Sequence, residues 1–411
     1  MGEHASGALS GLRVVEIAQG WAGPLVGAMC ADFGAEVIKV ESVRRLDWWR
    51  GVAIGDDALT HERSALFNGI NRNKLDVTLD LQSPEGHALL LGLVREADVF
   101  VENFTSHVLQ KLNLTHPVLS AENPGLISVS MPAYGSTGPW RDYPALGTTV
   151  ESMCGVQSLT GYEGGPPRMQ GTSWDPVIGL YAAFAVMAAL HHRRVTGRGQ
   201  HIEVSHIEAG TQLVAGPLLE YLLTGRIPER RGNTSRVFAP HGCYPTNGED
   251  QWIALVARSD AEWSALVAVL GDDAALCHPE YRTLRGRLAR RDALDQAIAA
   301  LTAQRAGDVL FRELQAVGVP AAPVSTPPDL LGDEHLFARR FWASVERQHV
   351  DTHLYPSRFL TMNRTPPRYE RPAPTLGQHN QLILSERLGL TSEAMAELER
   401  RGIIGTRPAD R

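Results

Sequence analysis

Apolar and polar residues along the first half of the chain fall into short blocks whose period keeps changing. Val14–Ala18 (VVEIA) and Val37–Val40 (VIKV) are brief β-branched runs that predict buried strands. Between them, Pro24–Phe33 (PLVGAMCADF) predicts a short helix, with Pro24 suited to its first position and Gly34 to its end. A strand–helix–strand start predicts a parallel sheet covered by helices. Asp76–Leu81 reads as another strand. Ser83-Pro84-Glu85 then opens a helix through Arg95, with serine as cap, proline in the first position and an acid in the first turn. Ala97–Glu102 (ADVFVE) and Leu126–Met131 (LISVSM) predict two further strands. Tyr134–Pro167, rich in Gly, Pro, Ser and Thr, reads mostly as ordered loop. A long apolar helix is expected from Asp175 to near Arg194. After a Gly197-Arg198-Gly199 turn, His201–Ser205 (HIEVS) reads as an edge-like strand.

The pattern changes after Tyr221. Arg226–Arg236 is charged and contains Gly and Pro, as a linker would. His241–Val256 predicts a hairpin turning at NGED, followed by helices at Ala261–Leu270, Asp292–Ala303 and Ala306–Gln315. Short helices close the chain at Gln381–Leu388 and Ser392–Arg401. The expected division is a large α/β domain over 1–212, a linker over 213–235, a smaller α+β domain over 236–322, and a return linker leading back into the large domain over 323–411. No internal repeat or low-complexity tract interrupts it.

Composition narrows the function. The chain is 43% hydrophobic and 21% charged, an ordinary globular balance for its 411 residues. A formal net charge of -7 argues against a nucleic-acid binder, which would present a basic stripe. Cys30, Cys154, Cys243 and Cys277 form no CxxC pair and no zinc-ligand spacing, so reduced thiols, no metal site and a cytoplasmic location are expected. The start MGEHASGALSGLR has no apolar signal region, and Leu180–Leu190 is short for a bilayer span.

Several segments carry candidate chemistry. The first turn is Gln19-Gly20-Trp21-Ala22-Gly23-Pro24, not GxGxxG, although Glu41 ends the next strand as in a dinucleotide fold. A nicotinamide cofactor is disfavoured; the helix start could hold an anion or an adenine-bearing group, or be a structural turn. Arg44, Arg45, Trp48, Trp49 and Arg50 suit a phosphate-bearing or aromatic ligand, or equally a solvated loop with packed indoles. Asn71-Arg72-Asn73-Lys74 is either a phosphate grip or a charged loop. Asn103-Phe104 closes a strand at its carboxyl end, where open α/β sheets bind ligands. Asp175, directly before Pro176, is either a helix cap only or a cap that is also a nucleophile dividing one hard transfer into two easier steps, with nearby backbone amides stabilising the oxyanion. His191, His192, His201 and His206 lack a GxSxG serine and read as surface or packed histidines.

Together the segments LSGLRVVEIAQGWAGPLVGAMCADFGAEVIKVE, NRNKLDVTLDLQSPEG, ADVFVENF, GSTGPW, SLTGYEGGPP, DPVIGLYAAFAVMAALHHRRVTGRGQHIEVS and LGQHN, in this order, resemble the class III CoA-transferase (CaiB/BaiF) family from about residue 9 to 404. The resemblance implies a Rossmann-like large domain built from both chain ends, an inserted small domain and an interlocked homodimer. It implies a nucleophilic aspartate at Asp175 that moves CoA from an acyl-CoA donor to a carboxylic acid through an aspartyl anhydride and an aspartyl-CoA thioester, with no permanent cofactor and no metal. It places CoA contacts at Trp21, Ala22, Arg72, Asn73, Lys74, Asn103, Phe104, Lys111 and Tyr134. Leu75 stands where many relatives carry Arg, and Ser42 where many carry a basic residue, for which Arg44 or Arg45 could compensate. GTSWD is one residue shorter than usual. Racemases of the same family use a His/Asp pair, and PALGTTV at Pro144–Val150 has neither; that isomerase and an inactive CoA-binding relative are the alternatives. Trp21, Trp48, Trp49, Trp140 and Trp174 suggest an acceptor acid larger than formate or oxalate, or an aromatic one, or equally are core residues.

Overall fold

The computed structural model describes residues 7–52, 57–171, 174–271, 274–357 and 359–409. It divides into two compact units. The larger comprises Met1–Val156, Met169–Gly225 and His335–Arg411, and the smaller Gln157–Arg168 and Arg226–Glu334. The smaller unit is thus wider than the 236–322 read from sequence, and the helix Ala215–Thr224 belongs to the larger one.

The larger unit is organised by six parallel strands: β1 (Arg13–Glu16), β2 (Glu36–Glu41), β3 (Leu75–Thr78), β4 (Val99–Glu102), β5 (Ile127–Ser130) and β6 (Gln200–Glu203). Their order is β3-β2-β1-β4-β5-β6, so the chain reverses direction across the sheet between β1 and β4. β3, β4 and β5 are buried along their whole length, so even the alternating polar residues Asp76, Thr78, Ser128 and Ser130 lie inside the unit. One face carries Val15, Ile38, Val77 and Phe100. It packs on the helix Pro84–Arg95, through Leu90, Leu93 and Val94, and on Ile383, Leu384 and Leu398 from the end of the chain. The other face carries Val14, Val37, Val101 and Val129. It packs on α1 (Ala22–Asp32) and on the long helix Trp174–Thr196 through Ile178, Ala182, Val186 and Ala189. By length and composition that helix could cross a bilayer, but here one side of it belongs to this core.

The helix at Pro84 starts as its sequence predicts: Ser83 Oγ accepts from Gly86 N at 3.0 Å. The stretch read as ordered loop differs. It contains the helix Gly147–Met153, seven residues whose Gly-Thr-Thr start gives no apolar period to read. The carboxyl-terminal segment joins the larger unit through β3, where Thr78 Oγ1 donates to the Gly405 carbonyl at 2.7 Å and Thr78 N to Asn380 Oδ1 at 2.9 Å. A hairpin, Trp342–Arg347 with Asp351–Pro356, lies in the same segment and was not legible in its sequence, since most of its residues are exposed.

In the smaller unit His241–Pro245 and Trp252–Val256 pair antiparallel as expected. Ala321–Pro323, at the boundary expected between the smaller domain and the return linker, adds a third strand. Tyr244, Ile253, Leu255, Trp263, Leu266, Leu294, Ile298, Leu310 and Leu314 form its core.

Candidate active site

Helices that connect parallel strands run back along the sheet, so their amino termini lie at the carboxyl edge of the strands. α1 follows β1, and the Trp174 helix precedes β6; both start at that edge. Their contact is unusually close. A Cβ at Gly179 would lie 2.7 Å from the Ala22 carbonyl oxygen and 3.1 Å from Leu25 Cβ, so only glycine admits this packing. The contact places the first turn of the Trp174 helix, with Asp175, beside the turn Gly20–Ala22.

Asp175 is not the cap that its sequence suggested. The helix begins at Trp174, which puts Asp175 inside the first turn. Among the described residues its carboxylate has no hydrogen-bond or ion-pair partner, and burial alone pushes its pKa up to about 6. Gly147 lies against it: a Cβ there would be 2.8 Å from Asp175 Oδ1. Gly147→Ala therefore has to displace either the carboxylate or the helix. The expected result is a kcat lower by roughly 10- to 100-fold, the size of effect produced by misplacing a reacting group by about 1 Å. Steady-state kinetics and a thermal midpoint would check it; a wild-type kcat in a folded protein would mean that this contact does not locate the reacting group.

The switch point between β1 and β4 is closed by Asn103. Its Oδ1 accepts from Gln19 N at 2.9 Å and its Nδ2 donates to the Gln19 carbonyl at 2.7 Å. Gly23 makes room, since a Cβ there would stand 3.3 Å from Asn103 Cγ. Phe104 N donates to Glu102 Oε2 at 2.7 Å, and burial pushes the Glu102 carboxyl up to about 7. Half-buried Trp21 meets Trp49 at 5.3 Å, and the exposed indole of Trp48 covers Gly20. Asp47, unnoticed in the sequence, ties this arrangement together: its Oδ1 accepts from Gly20 N at 3.1 Å and from Trp49 N at 3.0 Å, while Lys39 Nζ lies 2.9 Å from its Oδ2.

The segment Arg72–Lys74 is tied into the fold by its own ion pairs and hydrogen bonds. Arg72 pairs with Asp32, its Nε donating to Oδ1 at 3.0 Å. Asn73, at φ 63°, donates to Asp32 Oδ1 at 2.9 Å and accepts from Glu370 N and Arg371 N. Lys74 Nζ contacts both Glu16 oxygens at 2.9 Å and the Pro24 carbonyl at 2.8 Å, with its side chain wholly buried. These groups are internal struts, because their charges are already answered by acids on β1 and α1. Leu75 is likewise core. Lys111 is exposed at the end of the helix Ser106–Lys111. Tyr134 makes edge contacts of 6.1 Å with both Trp140 and Tyr143. Arg44 is held by Asp80 and by the carbonyls of Arg401 and Gly402, whereas the Arg45 side chain is exposed beside Ser42. The five tryptophans do not form one pocket: Trp49 and Trp174 pack into separate cores, and Trp140 stands with Tyr134. Thr172 and Ser173, in the short loop before the aspartate, lie outside the described residues.

The profile of CoA-transferase family III matches residues 9–380. The chain belongs to this family. It is a CoA-transferase, 34% identical over 401 residues to the succinyl-CoA--D-citramalate CoA-transferase of Chloroflexus aurantiacus, covering 96% of this chain and 98% of that one. It is 35% identical over 382 residues to the succinate--glutarate CoA-transferase of Agrobacterium fabrum, covering 92% and 95% of the two chains. A solved structure of a CaiB/BaiF family protein from Brucella suis superposes with a TM-score of 0.84 at 32% identity, covering 93% of this chain and 99% of that one. In this CoA-transferase the residue set against Asp175 is a glycine, and the stretch Pro144–Val150 supplies neither His nor Asp for racemase-type proton transfer. Gly147 and Asp47 were missed by sequence reasoning because their partners, Asp175 and Gly20, are distant in the chain.

Proposed function

We propose that Asp175 is the nucleophile of the CoA-transferase. The observation that carries this reading is a half-buried carboxylate that has no cation beside it among the described residues, set against Gly147 at the sheet's ligand-binding edge. Asp175 attacks the thioester carbonyl of the donor acyl-CoA, forming a C–O bond; the C–S bond breaks and CoA leaves as the thiolate. The thiolate attacks the aspartyl carbonyl of the resulting anhydride, giving an aspartyl-CoA thioester and releasing the donor acid as its carboxylate. The acceptor carboxylate attacks that thioester, and the freed thiolate then attacks the acceptor's carbonyl. The products are the new acyl-CoA and a regenerated Asp175. No proton is consumed over the cycle.

Trp21, Ala22, Asn103, Phe104 and Tyr134 are the CoA contacts at the switch point. Exposed Lys111 and Arg45 serve its phosphates, with Arg72, Asn73 and Lys74 holding the scaffold. The scattered tryptophans and the names of the relatives favour aliphatic dicarboxylic acids over aromatic ones, with succinyl-CoA the first donor to try. An aromatic acid such as benzoate as the best acceptor in a panel of acids would overturn this assignment. A cytoplasmic homodimer is part of the same reading. Apolar residues left exposed on helices of the larger unit, Phe184, Leu219, Leu222 and Leu223 among them, support a partner copy.

The direct test is intact mass after mixing with succinyl-CoA, with and without hydroxylamine. A donor-dependent adduct that hydroxylamine converts to a hydroxamate mapping to Asp175 is the expected result. CoA binding with no adduct from any donor would sink the nucleophile assignment. The pH dependence follows from burial. The protonated carboxyl is a poor nucleophile, so the rate of adduct formation should rise with pH and level off above about 6. An inflection near the ordinary carboxylate value of 3.8 would contradict the buried setting.

A further inference from the structure

We infer that Glu151 is the positioning residue of the nucleophile, an assignment that rests on Asp175 being that nucleophile. Glu151 is fully buried. Its Oε1 accepts from Gln170 N at 2.7 Å, and among the described residues its buried Oε2 has no hydrogen-bond partner. A carboxylate in such a place is costly, and an apolar side chain would fill it more cheaply. What the carboxylate adds is a short, charge-assisted grip on one backbone amide. That amide lies just ahead of Asp175 in the chain.

The helix Gly147–Met153 is what links the two. Residues four apart share a helix face, so Gly147 and Glu151 lie one above the other. Gly147 bears on the Asp175 carboxylate, and Glu151 holds the Gln170 amide, which precedes it in the chain. One rigid helix therefore touches the nucleophile segment at two points. The helix is itself fixed. Thr149 Oγ1 accepts from Leu146 N at 2.9 Å and donates to the Leu146 carbonyl at 2.8 Å, closing its start. At its end buried Cys154 packs on Gly210, where a Cβ would be 3.0 Å from the sulfur. Loss of the Glu151–Gln170 bond frees one of the two points and lets Asp175 drift from its attacking position.

The test compares Glu151→Leu, which keeps the volume, and Glu151→Gln, which keeps an acceptor oxygen, by pre-steady-state quench and intact mass with succinyl-CoA. For Glu151→Leu the adduct at Asp175 should form roughly 10- to 100-fold more slowly, with the KM for acyl-CoA within about two-fold of wild type. Glu151→Gln should recover to within about three-fold of wild type, because its amide oxygen still accepts the Gln170 N–H. Adduct formation in Glu151→Leu at the wild-type rate would overturn the inference while leaving Asp175 as nucleophile. So would a Glu151→Gln variant as slow as Glu151→Leu, or a loss confined to KM. Failure of the wild type to form any adduct would overturn the nucleophile assignment and this inference with it.

Discussion

Asp175→Ala is expected to reduce CoA transfer by at least about 10³-fold and to abolish the covalent adduct, because in the proposed mechanism both half-reactions pass through its carboxylate. CoA affinity should hold, since among the described residues no proposed CoA contact is hydrogen-bonded to the Asp175 carboxylate. Residual turnover above one-hundredth of wild type, by coupled assay or product mass, would show that transfer proceeds without a covalent aspartyl intermediate. The isosteric Asp175→Asn variant separates chemistry from stability. Burial raises the Asp175 pKa from 3.8 to about 6, so between these values the folded state holds a proton that the unfolded state has released. Stability from this group therefore falls as pH rises through that window, and the cost is fully present above it. Asp175→Asn should be inactive yet melt higher than wild type at pH 7 to 8, with the gain disappearing below about pH 4. A lower melting temperature at pH 8 would show that the ionised carboxylate is stabilised by interactions outside those described.

Arg50→Met is expected to destabilise the larger unit by about 3–5 kcal/mol, the usual consequence of removing one partner from a buried charge network. The Arg50 side chain is wholly buried. Its Nη2 lies 2.8 Å from Glu41, its Nη1 2.9 Å from Glu62, and its guanidinium carbon 3.6 Å from the centre of the Phe67 ring. It also donates to the Pro374 carbonyl at 3.2 Å, which ties in the returning chain end. Burial alone would raise the Glu41 pKa, but the Arg50 and Lys39 charges outweigh it and hold the group at about 2. Burial and the facing Glu41 raise the Asp76 carboxyl. A depressed carboxylate contributes stability that is present above its unfolded pKa of about 4.5 and is lost as pH falls toward 2. The deficit of Arg50→Met in urea unfolding should therefore be greatest near pH 7 and shrink in acid. A pH-independent deficit would assign the loss to packing on Phe67 alone. Glu41 also accepts from Asp47 N at 3.1 Å, so folded Arg50→Met should bind acyl-CoA more weakly as the Gly20–Trp21 turn loosens.

Much of the scaffold was legible because it depends on short-range rules. Ser83, Pro84 and Glu85 start a helix wherever they precede an apolar period, and here Ser83 does cap it. The strand runs, the hairpin at His241–Val256 and the long helix carrying Asp175 followed from period and turn chemistry. The site was legible only in part. Asp175 was marked out by its place at a polar-to-apolar junction. Arg72, Asn73 and Lys74 read as a ligand loop because a local string of cations and amides gives no hint of its counter-ions. Those counter-ions, Asp32 and Glu16, belong to other elements.

By itself the sequence determined most of the elements, the location of the proposed nucleophile on a helix, and the family resemblance, since backbone propensity, capping and apolar period act over a few residues. The tertiary structure alone decided which charges face inward, that Asn103 closes onto Gln19, that Gly147 bears on Asp175, and that the chain end returns to Thr78. Each of these contacts joins residues that only the β3-β2-β1-β4-β5-β6 order brings together. A buried charge, or a glycine under close approach, is defined by its neighbours in space, and no local pattern records which neighbours the topology will supply.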